Sequence, residues 1–206
     1  MTTQDNPNPT SSTSVPERSQ STSVPKKFGW VWKSLVGVLL VIVAFYCLGF
    51  FLPETYEAEL TVAYDVPPDK VWAALQDPEK IPIAGSRIQN VEMVSQQDDP
   101  KKVWIEDMGE SQVDVKTIEQ TELKHLKRTL DDRVITSMHG VMEFRLERTE
   151  PGTQVKATNT ITIKLGTWHV PVFRCVMYFS NGARVGLRDY LQRVGEHAES
   201  TPKFID

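Results

Sequence analysis

Polar and apolar positions divide the chain into three stretches. Residues 1–25 are almost wholly polar: 19 of the 25 are Ser, Thr, Asn, Gln or Pro, and Ser-Thr-Ser-Val-Pro occurs twice, ending at Pro16 and Pro25. With so little to bury, this stretch does not offset the entropy of ordering its backbone, and it reads as a low-complexity spacer. From Ser34 to Leu52 the pattern is continuously apolar, nineteen residues without a charge. As a helix it would reach ~28 Å, close to the ~30 Å hydrocarbon thickness of a bilayer. It lacks the polar stripe of a soluble core helix. Trp30 and Trp32 before it and Tyr56 after it suit the two interfaces.

Beyond the span the rhythm becomes that of a folded domain. Ala58, Leu60, Val62, Tyr64 and Val66 alternate with Glu57, Glu59, Thr61 and Asp65, which predicts a half-buried strand. Pro67-Pro68-Asp69-Lys70 opens a short helix with Val71, Trp72 and Leu75 as its apolar positions. A second short helical or irregular piece runs from Asp77 to about Arg87, interrupted by Pro82 and Gly85. Six strand-like runs follow: 88–95, 102–108, 112–120, 123–130, 140–148 and 153–165, joined by turn residues such as Gln97-Asp98-Asp99-Pro100 and Glu150-Pro151-Gly152. The last element is a long helix from about Val172 to Glu199. Phe173, Val176, Ser180, Ala183, Leu187, Leu191, Val194 and Ala198 make its single apolar stripe. This order predicts an α+β fold: a seven-stranded antiparallel curved sheet gripping the C-terminal helix, with two short helices after the first strand.

Charge sharpens the topology. Residues 1–33 carry a net +2, residues 34–53 carry no charge and residues 54–206 carry −6, within an overall −4. Arg18, Lys26, Lys27 and Lys33 precede the span, whereas Lys70 stands alone among acids in the first twenty residues after it. The positive-inside rule places the tail in the cytoplasm and the domain outside it, periplasmic in a Gram-negative cell. About 33 residues precede the apolar run, which ends in Phe50-Phe51-Leu52-Pro53 without a small-x-small cleavage site. Ala44-Phe45-Tyr46 before Cys47 also lacks the small residue of a lipoprotein signal, so the segment reads as a retained signal anchor. The expected organisation is a polar tail over 1–27, a single transmembrane span over 28–53, one domain over 54–200 and a short tail over 201–206. Only four residues separate Leu52 from Glu57, a reach of ~14 Å, so the domain is held close to the bilayer.

The stretch VPPDKVWAALQDPEKIP (residues 66–82), after one strand and before a run of strands, resembles the opening of the START-like superfamily. This is also called SRPBCC, or the helix-grip fold, and includes the polyketide cyclase/dehydrase and lipid-transport group. The resemblance covers roughly residues 57–199 and implies a helix gripped by a curved sheet around an apolar interior. Two departures stand out. Ile83-Ala84-Gly85-Ser86-Arg87 occupies the stretch where many relatives place a Trp, and the acidic turn at Gln97–Pro100 replaces the plant members' glycine-rich loop. No catalytic or ligand residue carries over from the superfamily.

Candidate chemistry is sparse. The net charge gives no footprint for nucleic acid. His125, His139, His169 and His197 show no metal-ligand spacing, two cysteines cannot build a disulfide scaffold, and no catalytic motif or cofactor signature occurs. Glu106-Asp107 and Asp131-Asp132 read as solvated turns. Strand parity therefore nominates cavity residues: Tyr64, Trp104, Met108, Met142, Phe144, Asn159 and Ile161 on the sheet, answered by Phe173, Met177 and Ser180 on the helix. Trp168 and His169, at the start of the long helix, are a candidate gate. Three functions stay open. The first is a non-enzymatic module binding a lipid or other hydrophobic small molecule. The second is a scaffold or assembly factor contacting a membrane-protein partner, and the third an enzyme of the cyclase/dehydrase type.

Overall fold

The computed structural model describes residues 28–83, 85, 88–95, 101–134 and 137–205, with side chains from Trp32 onward. The polar tail, the Trp30 ring, the acidic turn at Gln97–Pro100 and residues Ala84, Ser86 and Arg87 lie outside them. The chain forms two compact units that divide after Leu39. Helix α1 (Phe28–Phe51) begins in the first and supplies the start of the second from Leu40. Its Trp32–Phe51 portion is long and apolar enough to cross a membrane, with a mean hydropathy of 2.6 and nearly all of it exposed.

In the second unit, Leu52, Pro53 and Glu54 lead from α1 into β1 (Thr55–Tyr64). Helix α2 (Pro68–Leu75) follows, with Pro67 as its cap and Pro68 in its first turn, where a missing N–H costs nothing. It buries Val71, Trp72, Ala74 and Leu75. The expected second short helix is instead a series of turns: the Ile81 N–H reaches the Asp77 carbonyl at 3.0 Å, but Pro82 has no N–H to add the next bond. Strands β2 (Asn90–Met93), β3 (Val103–Asp107), β4 (Gln112–Thr121), β5 (His125–Asp132), β6 (Met138–Arg148) and β7 (Thr153–Ile163) come next. All pairings are antiparallel, in the order β2-β3-β4-β5-β6-β7-β1-β8.

Two expectations are corrected here. Residues 201–206 are not simply a tail: β8 (Lys203–Ile205) pairs with β1, setting Phe204 opposite Val62. Arg188 lies 4.6 Å over the Phe204 ring, and Lys203 Nζ donates to Asp65 Oδ2 at 2.7 Å. These contacts anchor a strand too short for periodicity to reveal. The long C-terminal helix is also two helices, α3 (Val170–Phe179) and α4 (Gly182–His197). Asn181 stands between them in the left-handed region at φ 51°, a conformation that asparagine tolerates and that ends a helix. The break separates the two halves of the expected stripe. Ala183, Leu187, Leu191 and Val194 are buried against the sheet, whereas Val176 and Ser180 are exposed.

The core follows from strand parity. Leu126, Phe144, Ala157 and Leu60 lie in one row across β5, β6, β7 and β1, with Leu146, Val155 and Val62 in the next. Helix α4 closes over them with Leu187, Tyr190, Leu191 and Val194.

Within the second unit, α3 runs against the Leu40–Phe51 part of α1. A Cβ at Gly49 would collide with the Pro171 carbonyl. Gly49→Leu is therefore expected to push α3 off this segment and lower the thermal midpoint of the detergent-solubilised chain by several degrees. Gly37→Leu, at a glycine with open space around it, should leave the midpoint unchanged. Equal midpoints for the two variants would show that the approach does not matter.

On the outer surface, Glu143 accepts from Arg145 Nε at 2.8 Å and lies 3.2 Å from His125 Nε2. Partial burial opposes its charge, but the hydrogen bonds from Arg145 and His125 outweigh burial and hold the carboxyl below the ordinary glutamate range. A folded-state value depressed below the unfolded ~4.3 gives stability that is complete above that value and disappears as pH falls through the folded one. The difference in thermal midpoint between the wild type and Glu143→Gln should hold from neutrality to about pH 5 and shrink towards zero in stronger acid. A difference that persists undiminished in strong acid would contradict this account.

Candidate functional site

Between the concave face of the sheet and the first turns of α4 lies a cavity of about 240 Å³. Register explains its place. The row Leu130, Gly140, Ile161 crosses β5, β6 and β7 at the end of the sheet where β1 begins, and the neighbouring row carries Arg128, Met142 and Asn159. Leu130, Gly140, Met142, Asn159 and Ile161 line the cavity, joined by Met138, Val113, Asp132, Met108 and Ile83. Gly140 leaves the wall recessed, and Gly182 and Gly186 do the same on the helix side. At Gly186, which is exposed, an added Cβ would meet no atom within 4 Å, so this helix edge forms an open rim.

Two polar side chains stand in this mainly apolar wall. Asn159 Nδ2 donates to the Ala183 carbonyl at 3.1 Å and ties the sheet to α4. Asp132, buried at the end of β5, accepts from Ser111 Oγ at 2.9 Å on one oxygen and from the Val134 N–H at 2.8 Å on the other. Both groups are held in fixed orientation, as a binding wall requires.

Deeper in, a charged network fills the interior. Arg128 is fully buried, with its guanidinium 4.7 Å over the Trp104 ring. Its Nη2 donates to the Leu75 carbonyl at 2.7 Å, and its Nη1 lies 3.5 Å from the Tyr190 hydroxyl. Glu106, also fully buried, accepts from Trp104 Nε1 at 2.9 Å and from the Ile83 N–H at 2.8 Å. Burial pushes the Arg128 guanidinium down from its ordinary value, against the opposing pull of Tyr190 and Glu106. Burial likewise raises Tyr190, and the Glu106 charge adds to that rise while Arg128 opposes it. The three aligned strand positions Arg128, Leu130 and Asp132 thus carry an inner charge, an apolar wall and a polar wall in succession.

Of the residues nominated from sequence, Met108, Met142, Asn159 and Ile161 line the cavity. Phe144 lies one row further along the sheet, its ring 5.5 Å from that of Tyr190 in solid core. Tyr64 is at the far end of β1, where its hydroxyl donates to the Leu191 carbonyl at 2.8 Å; burial holds that hydroxyl protonated, well above the usual tyrosine value. Trp104 belongs to a separate small apolar cluster with Val113 and Val115. The helix break moves the other three off the wall. Phe173 is half-buried on α3, Met177 packs on the core cluster with its sulfur towards Gly182, and exposed Ser180 donates to the Val176 carbonyl at 2.6 Å. Trp168 stands 78% exposed before α3, and His169 Nε2 lies 3.1 Å from Thr167 Oγ1; neither touches the cavity. Ile83, Leu130 and Met138 were not singled out in the sequence, and Asp132, expected in a solvated turn, is buried in the wall instead, as Glu106 is deeper in. Parity is the signal that reaches Leu130 and Asp132, which continue the inward series of Leu126 and Arg128.

A larger, shallower depression of about 800 Å³ lies at the opposite end of the sheet, between Pro67-Pro68-Asp69 and the β5–β6 surface. Leu123 and Leu146 line it with the charged side chains of Lys124, Arg145, Glu147 and Arg148, and it is an open surface groove rather than an interior site.

No protein-family profile and no curated protein matches the chain. Solved structures do match. The aromatase/cyclase ZhuI from Streptomyces sp. R1128 is 16% identical, covering 69% of this chain and 93% of its own, with a TM-score of 0.54. The di-domain ARO/CYC BexL, from the BE-7585A biosynthetic pathway, is 13% identical over 71% of this chain and 51% of its own, with a TM-score of 0.52. Ara h 8.0201 is 20% identical over 70% of this chain and 97% of its own, with a TM-score of 0.47. The domain has the START-like, helix-grip fold.

Proposed function

We propose that this chain is a membrane-tethered START-like domain that binds a lipid or another hydrophobic small molecule without transforming it. The cavity carries this reading: a mainly apolar wall with two oriented polar groups, at the sheet end where the chain leaves α1. Its volume of about 240 Å³ falls just below the ~300–1,000 Å³ of drug-sized pockets, which suits a small ring system or the end of an acyl chain rather than a whole phospholipid. Asp132 would accept from a hydroxyl on such a ligand. On this reading α1 is a retained anchor with the cytoplasm on its N-terminal side. A tether of three residues then keeps the cavity at high effective concentration relative to molecules dissolved in the bilayer.

The test is native mass spectrometry of the full-length chain, extracted in mild detergent, followed by analysis of the solvent-extracted ligand. A hydrophobic species released on denaturation, and rebound when supplied from vesicles, is the expected result. A chain that is empty as isolated and takes up nothing from vesicles would end the reading.

A second reading, an enzyme of the cyclase/dehydrase type, draws on one observation: Asp132 puts an ionisable group on the cavity wall. Both its oxygens already accept protein hydrogen bonds, which favours a fixed acceptor over a proton carrier. Recovery of the bound molecule unchanged after prolonged incubation supports binding alone. Conversion that is lost in Asp132→Asn supports the enzyme.

A further inference from the structure

Helix α3 presents two unlike faces. Val170, Pro171, Arg174 and Cys175 are buried, while Val172, Val176, Tyr178 and Phe179 are exposed, Phe179 to 63%. Trp168, just before the helix, is more exposed still. Arg174 is the one charged residue in these ten, and it points inward. A water-facing helix carries polar residues on its outer face, and this one carries none that is charged.

The exposed face is continuous with the apolar helix. The Phe45 and Phe179 rings stack at 6.1 Å and 24°, the Cys175 thiol donates to the Phe45 carbonyl at 3.3 Å, and Pro171 packs on Gly49. We infer that α3 is a second membrane element: its outward face sits among the acyl chains of the leaflet into which the C-terminal half of α1 passes. The inference rests on the reading of α1 as a membrane span and deepens it, because it names the surface from which the cavity is loaded.

Arg174 supports this placement. Its neighbour Cys175 meets α1 at Phe45, seven residues before Leu52 and so about 10 Å along the helix axis. The guanidinium nevertheless reaches the span's end, where it donates to Glu54 Oε1 at 3.0 Å and to the Ile163 carbonyl at 2.9 Å. Its charge is thus satisfied inside the protein at the end of the span and is not left against lipid, as an ionisable group beside a membrane segment requires. Trp168, just before α3, adds an amphipathic aromatic that favours the headgroup level. Only Ser180 and Asn181 separate α3 from α4, whose Gly182 and Gly186 line the cavity. Seating α3 in the leaflet therefore brings the cavity rim to the membrane, and a ligand passes in without crossing water.

The unaltered full-length chain in phosphatidylcholine nanodiscs, with a fraction of the lipid carrying a diazirine near the middle of an acyl chain, tests this by photolysis and peptide mapping. Label on Val172, Val176 or Phe179 is expected at least about tenfold above that on the outer face of β4 and β5, alongside label on 32–51. Label on 32–51 with none on α3 overturns the inference and leaves the tether standing; α3 would then be covered by protein or by water. Label confined to cavity residues such as Met142 and Ile161 also overturns it, since it would report a bound lipid rather than an immersed helix. No label on 32–51 removes the tether, and the inference with it.

Discussion

Replacing Arg128 with methionine is expected to destabilise the domain by about 2–3 kcal/mol, the cost of losing buried hydrogen bonds from a charged donor and leaving their acceptors unpaired. The side chain is fully buried, and three groups depend on it: the Leu75 carbonyl at the end of α2, the Tyr190 hydroxyl on α4 and the Trp104 ring on β3. It therefore joins the helix layer to two strands. Glu106, whose charge acts on Arg128 from within the interior, keeps its bonds from Trp104 Nε1 and the Ile83 N–H. Urea unfolding of the full chain in detergent, followed by tryptophan fluorescence, reads the loss. A loss under about 1 kcal/mol for Arg128→Met would mean that the network adds little beyond packing.

The largest functional effect is expected at Gly186. A leucine there meets no atom at its Cβ and adds helix propensity, so stability should rise by up to about 1 kcal/mol. The same side chain extends over the cavity rim, and uptake of the hydrophobic ligand from vesicles should fall by about tenfold or more, equivalent to about 1.4 kcal/mol. This opposition is diagnostic, because lost uptake in a more stable protein cannot come from unfolding. Gly186→Ala, whose methyl is too short to bridge the rim, should share the gain and keep uptake. Unimpaired uptake by Gly186→Leu would place the binding site elsewhere.

The fold was legible wherever burial follows a simple period. Alternation in β1 and β7, and the 3–4 spacing of Ala183, Leu187, Leu191 and Val194, reflect one buried face each. The break between α3 and α4 was hidden because the apolar spacing runs unbroken across it, from Val176 through Ser180 to Ala183. The local clue was Ser180-Asn181-Gly182, three poor helix formers in sequence. The break turns the Val176–Ser180 face of α3 outward, and both residues are exposed. Arg128, Glu106 and Asp132 were hidden for another reason: charge argues for water while parity argues for the interior. Parity prevailed because each has partners waiting inside, a matter of distant chain segments that local sequence does not encode.

The position of β1 has a mechanical consequence. It continues from α1 after three residues, and it pairs with β7 over ten registered positions, with β8 on its other side. Tension applied through the last turns of α1 pulls along the strand axis. The ladder bonds then share the load in shear and must yield together, instead of unzipping one by one from an edge.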